Sequence, residues 1–126
     1  MTALYPAESN HLVDAEALAT EGVVFLVARR AGKAMGTVAY RPLDDGHAEM
    51  KRMFVDASAR GLGLGRRLLV ALEAEARTRC VRRISLETGI SQPEAIGLYR
   101  AAGYVDCAPF ADYRPDPLSL FMTKAL

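Results

Sequence analysis

Cysteine, net charge and long apolar runs are all scarce in this sequence. Its 126 residues include two cysteines, Cys80 and Cys107, distant from each other and from any metal-ligand spacing. We therefore expect two buried, reduced thiols and no metal site. The 16 Lys and Arg residues nearly balance the 15 Asp and Glu residues, for a formal net charge of +1. This balance argues against nucleic acid or an anionic membrane as a partner.

Signals for a membrane or for export are also missing. No apolar run approaches the roughly 20 residues that span a bilayer. The first residues lack the basic segment and apolar stretch of a secretory signal. The sequence therefore predicts a cytoplasmic protein. The two histidines, His11 and His47, have no evident partners in the sequence and are expected at the surface.

The hydrophobic pattern predicts one α/β domain over residues 1–126. Asp14 is a candidate cap for a short helix over residues 15–20, with Gly22 as its stop. Apolar or alternating runs predict six strands, the second of them closed by Pro42; the strands span residues 23–30, 35–41, 47–55, 83–88, 104–108 and 118–123.

Two helices are expected between these strands. Leucines at helical spacing predict the first over about residues 63–79, with solvated positions at Arg66, Arg67, Glu73 and Arg77. The second begins near Pro93 and ends at a left-handed cap on Gly103. The resulting order of elements is typical of a mixed sheet with helices packed on it.

Three glycines, Gly61, Gly63 and Gly65, lie between the third predicted strand and the first long helix. Glycine lets backbone N–H groups approach an anion, and the start of a helix adds electrostatic attraction. The unit therefore predicts a phosphate-binding loop, although a simple turn would also join strand to helix. Neither the P-loop pattern nor the dinucleotide fingerprint fits this segment.

Two motifs identify a family resemblance. The run Arg60-Gly61-Leu62-Gly63-Leu64-Gly65 has the form Arg/Gln-x-x-Gly-x-Gly/Ala, and the run from Gln92 to Tyr104 resembles Asn-x-x-Ala-x-x-Leu-Tyr-x-x-x-Gly-Phe. In this order, separated by a strand, they resemble the GNAT superfamily of N-acetyltransferases over about residues 23–126. The resemblance implies a mixed, mostly antiparallel, twisted sheet with a central splay between strands.

The resemblance also implies acetyl-CoA as the cosubstrate. Backbone groups of the third predicted strand would bind its pantetheine arm, and the glycine loop would bind its diphosphate, with charge added by Arg60 and Arg66. Gln92 replaces the Asn that usually begins the second motif, and it keeps the amide group on a side chain longer by one methylene. The implied acetyl-CoA-binding residues are Met53, Phe54, Val55, Arg60, Gly61, Leu62, Gly63, Leu64, Gly65, Arg66 and Gln92.

Two residues match catalytic positions of the family. Tyr99 takes the place of the general acid, since a neutral phenol can protonate a departing thiolate; a core aromatic is the alternative. Glu49 is the candidate base. Lys51 lies two residues further along the same strand face, so a surface ion pair with Glu49 competes closely with that role.

The acceptor is expected to be a primary amine of a small molecule. Lys51 or Arg52 would match a carboxylate on it, as in an amino acid or a related metabolite, and Tyr113 and Arg114 are candidates for the same pocket. Residues 1–22 are short for the family, which leaves a sheet edge and predicts a homodimer. The alternatives are a catalytically inactive CoA-binding module and a protein-lysine acetyltransferase.

Overall fold

All seven strands of the described chain belong to one sheet. The computed structural model describes residues 16–20, 22–59, 61 and 63–126, without the side chains of residues 16–20 and Arg52. Seven strands, two α-helices and one short 3₁₀ helix, Ala57–Ala59, are present in this part of the chain. The strands and α-helices are β1 Glu16–Thr20, β2 Val23–Arg30, β3 Lys33–Asp44, β4 His47–Val55, α1 Leu64–Thr78, β5 Arg83–Gly89, α2 Pro93–Ala101, β6 Val105–Asp106 and β7 Ser119–Ala125.

The strand order is β1-β2-β3-β4-β5-β7-β6. Strands β1 to β4 form an antiparallel meander, and β5, β7 and β6 pair antiparallel. Only β4 and β5 run parallel among the described strands, because α1 makes the crossover between them. The mixed, mostly antiparallel sheet predicted from the sequence is confirmed.

The predicted helix over residues 15–20 is wrong for residues 16–20. These residues form β1, which pairs with β2 from Glu16 opposite Val27 to Thr20 opposite Val23. Gly22, with φ 82°, provides the turn between them. The two alanines and the leucine of this segment favour a helix, but pairing with a neighbouring strand overrides so weak a preference. Asp14 and residue 15 lie outside the described residues.

Pro42 does not close β3, which continues to Asp44. Pro42 pairs with Ala48 of β4, while β2 pairs with β3 only as far as Tyr40. The missing N–H of proline is tolerated on a side of the strand where no neighbour requires it. Arg41, the residue before Pro42, lies opposite Glu49.

The core lies between the sheet and α1. Leu64, Leu68, Leu72 and Ala76 are all buried, which confirms the predicted helical stripe. Glu73 and Arg67 do not lie at the solvated positions predicted for them, since Glu73 is only 5% exposed and Arg67 is half-buried. Both cysteines are free, as predicted, but Cys80 is exposed and Cys107 is half-buried. Cys80 takes a left-handed conformation with φ 64° after the end of α1, and this turn leads it away from the core.

Candidate active site

Strands β4 and β5 separate near their middle. They pair through three register positions, from His47 opposite Arg83 to Glu49 opposite Ser85, and no further. A bulge accompanies the separation: β3 pairs Thr37 with Phe54 and Ala39 with Lys51, so β4 carries one extra residue there. The predicted central splay is confirmed, and the β4 backbone beyond Glu49 faces no paired strand on its β5 side.

A cavity of about 310 Å³ occupies the splay. Met53, Gln92 and Tyr99, which the sequence assigned to the site, line it. The other lining residues are Met50, Lys51, Leu86, Glu87, Thr88, Gly89 and Ala95. Phe54 does not line it and is 54% exposed. Val55 is half-buried and packs towards Gly65 of α1. Any contribution of Phe54 to this cavity therefore comes from its main chain.

The start of α1 presents N–H groups that the helix itself leaves unbonded. Its cap residue is Gly63, which provides no side-chain hydrogen bond, and the first bond at this end runs from Arg67 N–H to Gly63 C=O at 3.1 Å. The N–H groups of Leu64, Gly65 and Arg66 precede that bond and have no partner within the helix. The first turn contains no acidic residue. This helix end is suited to an anion.

The three glycines of the loop have different structural roles. Gly61 and Gly63 have φ of 82° and 75°, and a Cβ added to either would meet no atom within 4 Å. They therefore provide left-handed turns beside open space. A Cβ on Gly65 would lie 2.9 Å from Leu98 Cδ2, so this glycine permits close packing of α1 on α2. Arg60 and Leu62 lie outside the described residues.

A second cavity of about 250 Å³ adjoins the first. It is lined by Glu49, Met50, Lys51, Glu87 and Tyr113. Three of these residues, Met50, Lys51 and Glu87, line both cavities. The splay thus opens into a polar pocket that carries two carboxylates and one ammonium group.

Glu49 is the most enclosed charged group in this pocket, at 1% exposure. Its Oε1 accepts a hydrogen bond from Arg41 Nε at 2.8 Å, and its Oε2 accepts one from the Tyr113 hydroxyl at 2.5 Å. Lys51 Nζ lies 3.6 Å from Oε2. The predicted pairing with Lys51 is confirmed, but the carboxylate belongs to a buried cluster and not to the surface.

The two tyrosines of the site are held neutral. The hydrogen bond to Glu49, together with burial and the charge of that carboxylate, raises the pKa of Tyr113 to about 12. Burial raises the pKa of Tyr99, which is 6% exposed. The Tyr99 ring meets the Tyr104 ring edge-on, with centroids 6.1 Å apart. Tyr99 therefore packs as a core aromatic and also lines the splay cavity, so its two interpretations are compatible.

Aromatic packing holds the segment between β6 and β7 against the pocket. Tyr113 and Phe110 both pack on Phe121 of β7, with ring centroids 5.4 and 5.9 Å away. The prediction that His47 is a surface residue is wrong: it is half-buried, 5.9 Å from the Phe110 ring, and 2.7 Å from Ser85 Oγ through Nε2. Arg114 is exposed and does not line the pocket.

Sequence reasoning missed Glu87, which lines this pocket, and Arg41, which binds the carboxylate of Glu49. Arg41 faces Glu49 across the β3–β4 hairpin, a pairing that depends on the register of the two strands. Glu87 follows Ser85 on the same face of β5, and its Oε2 accepts a hydrogen bond from Ser119 Oγ at 2.6 Å. The alternation of β5 was the available signal for Glu87.

A splayed sheet beside an uncapped, glycine-preceded helix is the arrangement of an acyltransferase that draws an acyl group from CoA. Comparison with known proteins agrees. A model of the Acetyltransferase (GNAT) family matches residues 1–104. The chain belongs to this family and is an acetyl-CoA-dependent acyltransferase.

Relatives of known name cover nearly the whole chain. An IAA acetyltransferase from Azospirillum brasilense is 52% identical over 98% of this chain and 81% of its own length. The N-acetyltransferase YsnE from Bacillus subtilis, whose activity is uncharacterized, is 39% identical over 100% of this chain and 85% of its own.

Solved structures show the same architecture. A protein described as an acyl-CoA N-acyltransferase from Klebsiella pneumoniae superposes with a TM-score of 0.83 at 45% identity, covering 90% of this chain and 79% of that one. The PaiA N-acetyltransferase from Thermoplasma acidophilum, solved with coenzyme A, has a TM-score of 0.73 over 83% of this chain and 62% of that one. At 16% identity, the latter shows the fold alone.

Within the described residues, no three His, Cys, Asp or Glu side chains are placed together to hold a metal ion. Neither α1 nor α2 has both the length and the apolar character needed to cross a membrane.

Proposed function

We propose that this protein transfers the acetyl group of acetyl-CoA directly to the primary amine of a small molecule. The observation that carries the proposal is the meeting of two cavities at Met50, Lys51 and Glu87. One cavity opens along a strand with a free backbone side, as a pantetheine arm requires. The other presents charged groups suited to an acceptor.

The binding of acetyl-CoA rests mainly on the main chain. The unpaired β5 side of β4 at Met53, Phe54 and Val55 is available to the pantetheine arm as an added strand would be. The N–H groups at the start of α1, from Gly63 to Arg66, would hold the diphosphate. The space beside Gly61 and Gly63 supports this placement. Gln92 lines the same cavity and keeps an amide group near the arm.

In the reaction, the amine nitrogen bonds to the acetyl carbon while the carbon–sulfur bond breaks. Tyr99 is proposed to give its hydroxyl proton to the departing thiolate. Its position in the splay cavity and its raised pKa support that role, because the phenol stays protonated at neutral pH. Positioning of the two reactants would provide much of the acceleration.

The proton lost by the amine passes to a carboxylate. Glu49 is the proposed base, acting through a water molecule. Each of its oxygens accepts one hydrogen bond from a described side chain and keeps a second lone pair. Glu87 competes for the role because it reaches both cavities. The two carboxylates can be tested separately.

The charges of the pocket favour an acceptor that carries a carboxylate beside its amine, such as an amino acid or a related metabolite. Lys51 is 44% exposed and faces the same pocket as Glu87, so a carboxylate and an ammonium group would find opposite charges there. IAA belongs in any panel of acceptors because the Azospirillum relative is named for it.

The experiment measures CoA release from acetyl-CoA with amino acids, polyamines, aminoglycosides, IAA and lysine peptides. We expect turnover with a carboxylate-bearing amine, and a KM for it about tenfold higher in Lys51→Met than in the wild type, the effect of losing one charged contact. Preference for lysine peptides would instead indicate a protein-lysine acetyltransferase. Binding of acetyl-CoA without turnover on any acceptor would indicate an inactive CoA-binding module.

The assembly of the protein is a separate proposal. The described residues share one sheet and one core, which supports a single domain over residues 1–126. The homodimer expected from the sequence stays a prediction. Light scattering on the purified protein, which measures its mass in solution, tests it.

A further inference from the structure

A buried charged cluster joins α1 to β7 and to the end of α2. Glu73 of α1 accepts a hydrogen bond from the Tyr104 hydroxyl at 3.0 Å through Oε2, and one from Lys124 Nζ of β7 at 2.8 Å through Oε1. Arg77 lies at 4.0 Å on the surface side. We name Glu73, Tyr104 and Lys124 the brace. Glu73 and Tyr104 are almost fully buried, and Lys124 is partly buried.

The brace also holds the end of α2. Lys124 Nζ donates a second hydrogen bond, at 2.7 Å, to the carbonyl of Ala102, which is the C-cap of that helix. A cation there stabilises the negative end of the helix dipole. Gly103 follows with φ 99°, and a Cβ added to it would lie 3.4 Å from Lys124 Cε.

Tyr99 lies directly on the brace. The backbone N–H of Tyr104 donates to the Tyr99 carbonyl at 3.0 Å, and the two rings meet edge-on. Tyr99 is therefore held to Tyr104 by both its main chain and its ring. Tyr104 is in turn held to α1, the helix whose first turn faces the proposed diphosphate site.

We propose that the brace is a positioning device that sets Tyr99 relative to the start of α1. This inference rests on the proposed role of Tyr99 as the acid. A buried ion pair gives little net stability compared with apolar packing, so the effect of the brace is on geometry. Its hydrogen bonds fix distances and directions that apolar contacts would leave loose. Misplacement of a catalytic group by a fraction of an ångström is costly in rate.

The main test variant replaces the brace without leaving a lone buried charge. The double variant Glu73→Leu with Lys124→Met removes both charges, and Glu73→Gln is the milder second variant. Glu75→Gln is the matched control, because Glu75 forms an exposed pair with Arg79 on the same helix. Three properties are measured: the unfolding temperature, CoA binding by calorimetry, and kcat at saturating substrates.

We expect folded variants that bind CoA within about twofold of the wild type and lose on the order of tenfold in kcat, while the control keeps its rate. A folded double variant with unchanged kcat would overturn the proposal. If the double variant does not fold, the same criterion applies to Glu73→Gln.

Phenolate absorbance provides a readout that needs no acceptor. Subtracting the titration of Tyr99→Phe from that of the parent isolates Tyr99. In the brace variants this titration should move to lower pH, since a displaced ring becomes hydrated and loses the burial that raises its pKa. An unmoved titration would count against the brace. If Tyr99→Phe leaves turnover unchanged, the acid assignment fails, and the titration still decides whether the brace positions this ring.

Discussion

The Tyr113 hydroxyl donates to Glu49 Oε2 at 2.5 Å, although 64 residues separate the two in the chain. This bond joins the segment before β7 to Glu49, the last residue of β4 that pairs with β5 before the sheet splays. Arg41 binds the other oxygen of the same carboxylate. Glu49 therefore organises one wall of the acceptor pocket besides being its proposed base.

Removal of the Tyr113 hydroxyl should alter stability in a pH-dependent way. Its pKa is about 12 in the folded protein, against about 10 for a free tyrosine. A group with a raised folded pKa contributes full stability below its unfolded pKa and loses the contribution as pH rises through the folded value. The difference in unfolding free energy between wild type and Tyr113→Phe should shrink between pH 10 and 12, as measured by urea denaturation. A difference that stays constant over this range would show that the bond does not set the pKa.

The acid role of Tyr99 predicts a selective loss of rate. Tyr99→Phe should lower kcat about 10²-fold, the usual contribution of one acid–base group, with little change in CoA affinity. Tyr40→Phe is the matched control. The Tyr40 hydroxyl is buried with no hydrogen-bond partner in the described part of the chain, so its loss should be neutral or stabilising. Equal rates in both variants would remove Tyr99 from the chemistry.

The pH profiles of two variants should show which carboxylate of the pocket acts as the base. Glu49→Gln is expected to lower kcat/KM about 10²-fold at neutral pH. Activity should recover at higher pH, where the acceptor amine loses its proton unaided. Glu87 lies in the same pocket, and Glu87→Gln should lower kcat/KM by a smaller factor that does not depend on pH. The reverse result would assign the base to Glu87 and leave Glu49 as the anchor of Arg41 and Tyr113.

The glycine loop predicts a loss of CoA affinity upon a small substitution. Gly63→Ala forces a side chain into a left-handed conformation, at about 1–2 kcal/mol, and places a methyl group in the proposed diphosphate space. Calorimetry should show weaker CoA binding. Gly97→Ala is the control: its Cβ also meets open space, but it lies within α2, where alanine should stabilise the helix by about 1 kcal/mol. Unchanged CoA affinity in Gly63→Ala would argue against this placement of the diphosphate.

The sequence by itself determined the local features. Leucine spacing predicted α1, apolar or alternating runs predicted β2, β4, β5 and β7, and glycine spacing predicted the loop before α1. These features depend on residues close together in the chain, so they can be read from its pattern.

Only the tertiary structure decided which charges are buried and which residues share a pocket. Glu73 on a helix and Glu49 on a strand both resemble surface residues in sequence. Each is buried because donors from distant segments, Lys124 and Tyr104 for one and Arg41 and Tyr113 for the other, replace the water it loses. Tertiary structure also decided that residues 16–20 form the strand β1, because pairing with β2 outweighs the weak helical preference of the segment.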